Sequence, residues 1–190
     1  NPFTKQDQVS FLNKYFTDVT VDKQPIYKER VNEFVKKLLD LTRINLSDWD
    51  NEFTGVPLQC RLLAEVFSEN CKHFVETGKL ALNENFDLLY LYVTFVSTKL
   101  EILKSKFGHY HKENIDSVNE YQQLYALKII FPSELIKEIN IETKLLKFEE
   151  TLKNSIKLVQ KDGMIAVDSE FNINFIHRTF AAYFTSQWLS

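Results

Sequence analysis

Apolar side chains recur at three- and four-residue intervals along almost the whole chain, the spacing that lines one face of an α-helix. A first helix is predicted from about Lys5 to Phe16, with Pro2 ahead of it, Thr4 as its cap, and Val9, Leu12 and Phe16 on one face. A second is predicted from about Ile26 to Leu41, where Pro25 suits the start and Val31, Phe34, Val35, Leu38 and Leu39 keep the helical period. The stretch Thr42 to Thr54 is polar and irregular, with Trp49 and Phe53 as anchors. Gly55-Val56-Pro57 then opens a third helix, about Leu58 to Asn70, buried through Leu58, Leu62, Leu63, Val66 and Phe67.

A connector around Gly78 leads to a long helix, about Asn85 to Phe107, closed by Gly108. Its core stripe is read as Leu88, Leu89, Tyr92, Phe95, Val96, Leu100 and Leu103. A helix from about Ile115 to Phe131 follows, stopped by Pro132. Ser133 caps the next, which runs to about Ile141, and a further helix spans about Phe148 to Gln160. After Gly163 the period changes to two. Met164–Val167 and Phe171–Ile176 are β-rich runs joined by Asp168-Ser169-Glu170, with Phe171, Ile173 and Phe175 on one face and Asn172 and Asn174 on the other. A final helix covers about Thr179 to Leu189. The fold class is therefore mainly α: a helical bundle over residues 1–82, then a winged-helix-like unit over 83–190 with one small β-hairpin. Helix, helix, helix, hairpin is the order of a winged helix, and the boundary is placed near Leu80 to Glu84.

Composition narrows the function. With 23 Lys and Arg against 26 Asp and Glu, the net charge is 23 − 26 = −3, so the chain is not a general binder of phosphate backbones. Its 4 glycines, Gly55, Gly78, Gly108 and Gly163, stand far apart. A Walker A loop or a dinucleotide fingerprint needs clustered glycines so that backbone N–H groups approach phosphate, and this chain has neither. Cys60 and Cys71 lie in apolar helical sequence and read as buried, reduced thiols of a cytoplasmic protein. The longest apolar run, Leu88 to Val96, is too short to span a membrane, and no signal peptide opens the chain. Opening on Asn1 rather than Met, the sequence reads as a segment of a longer protein.

Two stretches carry a resemblance. Thr54-Gly55-Val56-Pro57-Leu58-Gln59-Cys60-Arg61-Leu62-Leu63-Ala64-Glu65-Val66-Phe67 and Phe175-Ile176-His177-Arg178-Thr179-Phe180-Ala181-Ala182-Tyr183-Phe184 resemble NACHT proteins of the STAND class of P-loop NTPases. The opening Asn1-Pro2-Phe3, with Asp7-Gln8 and Phe11-Leu12, is similar to the segment that follows the NACHT nucleotide-binding core. The resemblance implies a helical domain whose proline packs on adenine, here Pro57 beside Gly55. It also implies a winged helix whose histidine contacts the β-phosphate of ADP, here His177 beside Arg178. Where the usual second motif has Glu, this chain has Ala182. The implied role is regulatory: a switch that closes over ADP in the intact protein and opens on exchange for ATP. The fragment itself is then no enzyme and binds no nucleotide alone. Its partners are the upstream core and downstream repeats of the same chain, and the parent is a slow ATPase.

The residues themselves allow plainer readings. Gly55-Val56-Pro57 is also an ordinary helix start, because Pro at the first helical position gives up an N–H that has no partner anyway. A phosphate beside His177 meets free helix N–H groups together with an imidazole, but a lone histidine at a turn is commonplace. His109, His111 and Glu113 could hold a metal only if their segment were extended; a polar loop is the plainer reading. Cys60, Cys71 and His73 lack zinc spacing, and neither cysteine has a nucleophile's partner nearby in sequence. Lys153, Lys157 and Lys161 stand four apart where a DNA-binding winged helix places its reading helix. That stripe carries the alternative, a stand-alone winged-helix adaptor for protein or nucleic acid. Glu149 and Glu150 beside it fit a solvated face of mixed charge instead.

Overall fold

A computed structural model describes residues 2–20, 25–48, 50, 52–107, 112–152, 163–167 and 173–190. The described helices are α1 (Lys5–Val19), α2 (Pro25–Asn45), α3 (Pro57–Val66), α4 (Ser68–Thr77), α5 (Leu88–Phe107), α6 (Lys112–Ile130), α7 (Ser133–Glu138), α8 (Ile141–Leu152) and α9 (Arg178–Leu189). Strands β1 (Ile165–Val167) and β2 (Ile173–Phe175) precede α9. The chain is thus mainly helical with one small antiparallel hairpin, the class that the periodicity predicts. It divides into two compact units, Asn1–Val96 and Ser97–Ser190, and the division falls within α5.

In the first unit α1 packs on α2, α3 and α4, while α4 also packs on α2 and α3. Helix α1 begins in a reciprocal cap. The Thr4 hydroxyl accepts from the Asp7 N–H at 3.2 Å, and the Asp7 carboxylate accepts from the Thr4 N–H at 2.8 Å. The hydrogen bonds from Thr4 hold the Asp7 carboxyl below its ordinary range. The inner faces bring Leu12, Phe16, Phe34, Leu38, Leu62, Leu63 and Phe67 to nearly complete burial. Rings run through this core, with Phe16 and Phe34 edge to face at 5.3 Å between centres and Phe34 and Phe74 tilted at 34° and 6.1 Å apart. The Arg30 guanidinium crosses from α2 to donate to the Val75 carbonyl near the end of α4, a place where the helix dipole favours a cation.

Several helix ends differ from the sequence reading, each for a local reason. Helix α2 runs on to Asn45, and Thr42 within the added turn faces inward with its hydroxyl donating to the Leu38 carbonyl at 2.8 Å, which keeps that buried polar group paired. It stops where Ser47 turns left-handed (φ 52°), letting the Asp48 N–H reach back to the Arg43 carbonyl at 3.1 Å. The single helix predicted from Leu58 to Asn70 is two, α3 and α4, meeting at buried Phe67 with φ −100° and ψ 13°. Neither Gly nor Pro marks that joint. Helix α5 starts at Leu88 rather than Asn85, since Asp87 caps it by accepting from the Tyr90 N–H at 2.7 Å. Leu88 and Leu89, expected in the core, lie in its first turn at 43% and 53% exposure. Leu91, Tyr92, Phe95, Val96 and Leu103 are the buried positions.

In the second unit α6 packs on α7, α8 and α9. Val118, Tyr121, Leu124 and Leu127 of α6 join Ile136, Ile141, Leu145, Ile165 and Ile173 in one apolar cluster. Pro132, not Ser133, is the cap residue of α7, which is short: left-handed Asn140 (φ 55°) ends it, and α8 begins at Ile141 rather than Phe148. Residues 153–160 of the predicted helix lie outside the described residues, as do Phe171 and Asn172 of the hairpin. The strands pair Ile165 with Phe175, Ala166 with Asn174 and Val167 with Ile173. Ile173 is buried, Asn174 exposed and Phe175 half-buried, the predicted alternation. The Tyr125 hydroxyl of α6 donates to the Ile173 carbonyl, tying β2 to the core.

Two predictions follow from these placements. Replacing Ser47 by Gly removes the left-handed strain of a side-chain-bearing residue and raises stability by about 0.5–1 kcal/mol, seen as a higher Tm. Burial pushes the thiols of Cys60 and Cys71 up from 9.0 to about 12. Between those values the unfolded chain has shed thiol protons that the native state keeps, so stability falls as pH rises above about 9. Denaturation across that range shows a steeper loss for the native sequence than for the double variant Cys60→Ala, Cys71→Ala.

Candidate functional site

The first candidate stretch is built around a carboxylate that the sequence reading passed over. Asp48, 3% exposed, sits just beyond the end of α2. Its Oδ1 accepts from the Phe53 N–H at 2.7 Å, and its Oδ2 accepts from the Thr54 N–H at 3.0 Å and the Thr54 hydroxyl at 2.6 Å. Three donors on one buried carboxylate fold the loop back on itself, as short acidic side chains do in turns. The next residue, Gly55, is buried and its carbonyl accepts from the Phe3 N–H at 2.7 Å. The opening Pro2-Phe3 segment is therefore fastened to the start of α3.

Pro57 is the first residue of α3, following Val56 as a cap residue without a side-chain cap bond. The Gln59 and Cys60 N–H groups both return to the Val56 carbonyl at 3.0 Å. Pro57 is exposed, so the loop presents a rigid apolar ring at the surface of the first unit. The sequence reading of Pro57 at a helix start agrees with this geometry. What it missed was the means: an Asp six positions before Thr54 in a polar stretch was the available signal.

His177 belongs to the second unit and is described separately. The Ile176 N–H bonds the Met164 carbonyl at 3.0 Å, extending the hairpin by one rung up to the histidine. His177 is extended (φ −152°, ψ 142°), caps α9 and is half-buried. Its Nδ1 lies 2.8 Å from the Thr179 hydroxyl and accepts from the Thr179 N–H at 3.4 Å. The Phe180 N–H goes to the His177 carbonyl at 3.1 Å. Two of the N–H groups expected to meet a phosphate are thus engaged by His177 itself. Arg178, first in α9, is exposed, and Ala182 is exposed one turn further on.

The remaining candidates contribute little. His109, His111, Lys153, Lys157 and Lys161 lie outside the described residues. Cys60 and Cys71 are free and fully buried, and their raised thiols stay protonated near neutral pH, which suits core packing rather than nucleophilic chemistry. Among the described residues no three His, Cys, Asp or Glu side chains gather as a metal site, and no helix is long and apolar enough to cross a membrane. Two open hollows in the first unit, of about 370 and 290 Å³, include none of Gly55, Pro57 or Asp48 in their lining. Set against protein-family models, curated proteins and solved structures, the chain matches none of them.

Replacing Asp48 by Ala strands three donors at once. Each orphaned polar group costs about 1–3 kcal/mol, less where water reaches it. Urea denaturation therefore shows a loss of roughly 2–4 kcal/mol, and amide exchange at Phe53 and Thr54 accelerates ahead of exchange in α2. Asp48→Asn keeps one acceptor oxygen and loses less.

Proposed function

We propose that the chain is the helical-domain and winged-helix part of a NACHT-type ATP/ADP switch, with a regulatory rather than catalytic role. The observation that carries the reading is the form of the two motif stretches. Each contains, near its beginning, a helix start whose chemistry suits a different part of a nucleotide. One is an exposed proline on a loop fastened to the opening segment; the other is a histidine capping the helix that follows the hairpin. The order α6, α7, α8, hairpin, α9 supports the winged-helix part of the reading.

In the intact protein an upstream core holds the nucleotide. Pro57 packs on the base and His177 donates to the β-phosphate of ADP. Exchange for ATP shifts the balance only so far as the two nucleotides differ in affinity for the closed and open states. The contact at the phosphate is where that difference arises.

This reading predicts a division of labour that calorimetry checks. The chain alone shows no ATPase activity and no micromolar affinity for ADP. A longer natural chain carrying a Gly-x-x-x-x-Gly-Lys-Ser/Thr loop upstream binds ADP, and His177→Ala in it weakens ADP binding and raises basal activation. Micromolar ADP binding by the chain alone, or an upstream sequence without that loop, overturns the reading.

A further inference from the structure

His177 has two ring nitrogens, and its surroundings treat them differently. Nδ1 receives the backbone N–H of Thr179, and the Thr179 hydroxyl stands 2.8 Å from the same atom. A backbone N–H can only donate, so Nδ1 must offer its lone pair. A hydroxyl can donate or accept, and beside a lone pair it donates. Nδ1 therefore carries no proton in the neutral ring. The proton sits on Nε2, which makes no hydrogen bond among the described residues. Hydrogen bonding at one ring nitrogen decides what the other can do.

We infer that Thr179 is a positioning residue that locks His177 in the Nε2–H tautomer, so the ring meets a ligand as a hydrogen-bond donor. The matching partner is an acceptor, such as a phosphate or carboxylate oxygen. A divalent metal ion is the wrong partner: it needs an unprotonated nitrogen, and the only one is already occupied by Thr179. The tautomer stands on local geometry alone, whereas the identity of the acceptor as a nucleotide phosphate rests on the proposed function. The side chain two residues after the histidine thus sets the sign of the interaction. A residue without a hydroxyl there leaves Nδ1 with the long 3.4 Å backbone contact only, which holds the tautomer more weakly and lets the other form become populated.

Long-range ¹H–¹⁵N correlation spectra of the labelled chain read this directly. They are recorded near pH 8, where an ordinary imidazole is neutral, with His177→Gln used to assign the signal. The native chain is expected to show Nε2 as the protonated nitrogen and Nδ1 as the bare one. Thr179→Val shifts both resonances toward the average of the two tautomers, and Thr179→Ser restores the native pattern. Zinc added alone leaves the His177 signals in place. A dominant Nδ1–H form in the native chain, a Thr179→Val spectrum equal to the native one, or zinc-induced shifts at His177 each overturn the inference. If Thr179→Val does not fold, the native and Thr179→Ser spectra and the zinc titration still decide. In the longer nucleotide-binding chain Thr179→Val weakens ADP binding roughly three- to tenfold, the effect of one misdirected hydrogen bond. A locked tautomer without ADP binding there sinks the nucleotide reading and leaves the inference standing.

Discussion

Helices of this length do not persist in water by themselves. Fixing the first turn is costly, and stability comes from burying one apolar face against a neighbour. In the first unit that burial is built from rings as much as from leucines. Phe16, Phe34 and Phe67 are almost wholly removed from water, each worth about 1.5–3 kcal/mol. In the second unit α6 supplies the common surface against which three other helices lie. Every feature of interest, the Asp48 loop, the proline start and the histidine cap, is an irregular piece hung on elements that this burial has already fixed.

The regular parts were legible because they repeat. The three-four spacing of Val31, Phe34, Val35, Leu38 and Leu39 forces one conclusion, and all five are buried. The alternation of Ile173, Asn174 and Phe175 does the same for β2. Joints were not legible, because each depends on one residue adopting a conformation its identity does not announce. Ser47 turns left-handed without being glycine, and Phe67 interrupts a helix without being proline; left-handed Asn140 is the exception, since Asn is the residue that most often takes glycine's place at a helix end. The first turn of α5 misled for a related reason. Leu88 and Leu89 fit the stripe in sequence but stand at its free end, capped by Asp87.

The candidate sites divide along the same line. Pro57 at a helix start and His177 after a hairpin follow from local rules, and the geometry agrees with both. The way each is held does not follow from such rules. Asp48 reaches across its own loop to Phe53 and Thr54, a pairing that only the folded loop creates. Likewise, the expectation of open N–H groups at the start of α9 treated the histidine as a bystander. Its ring is itself the cap and already engages the Thr179 N–H.

The tie between Tyr125 and Ile173 has one more consequence. Residues 164 and 176 form a hydrogen-bonded rung, so by alternation 166 and 174 form the next, and Ile173 turns its carbonyl away from β1. An outward carbonyl on a two-stranded sheet is a template for a foreign strand. Here the phenol from α6 occupies it. The same bond that anchors the hairpin also blunts its open flank against intermolecular strand addition.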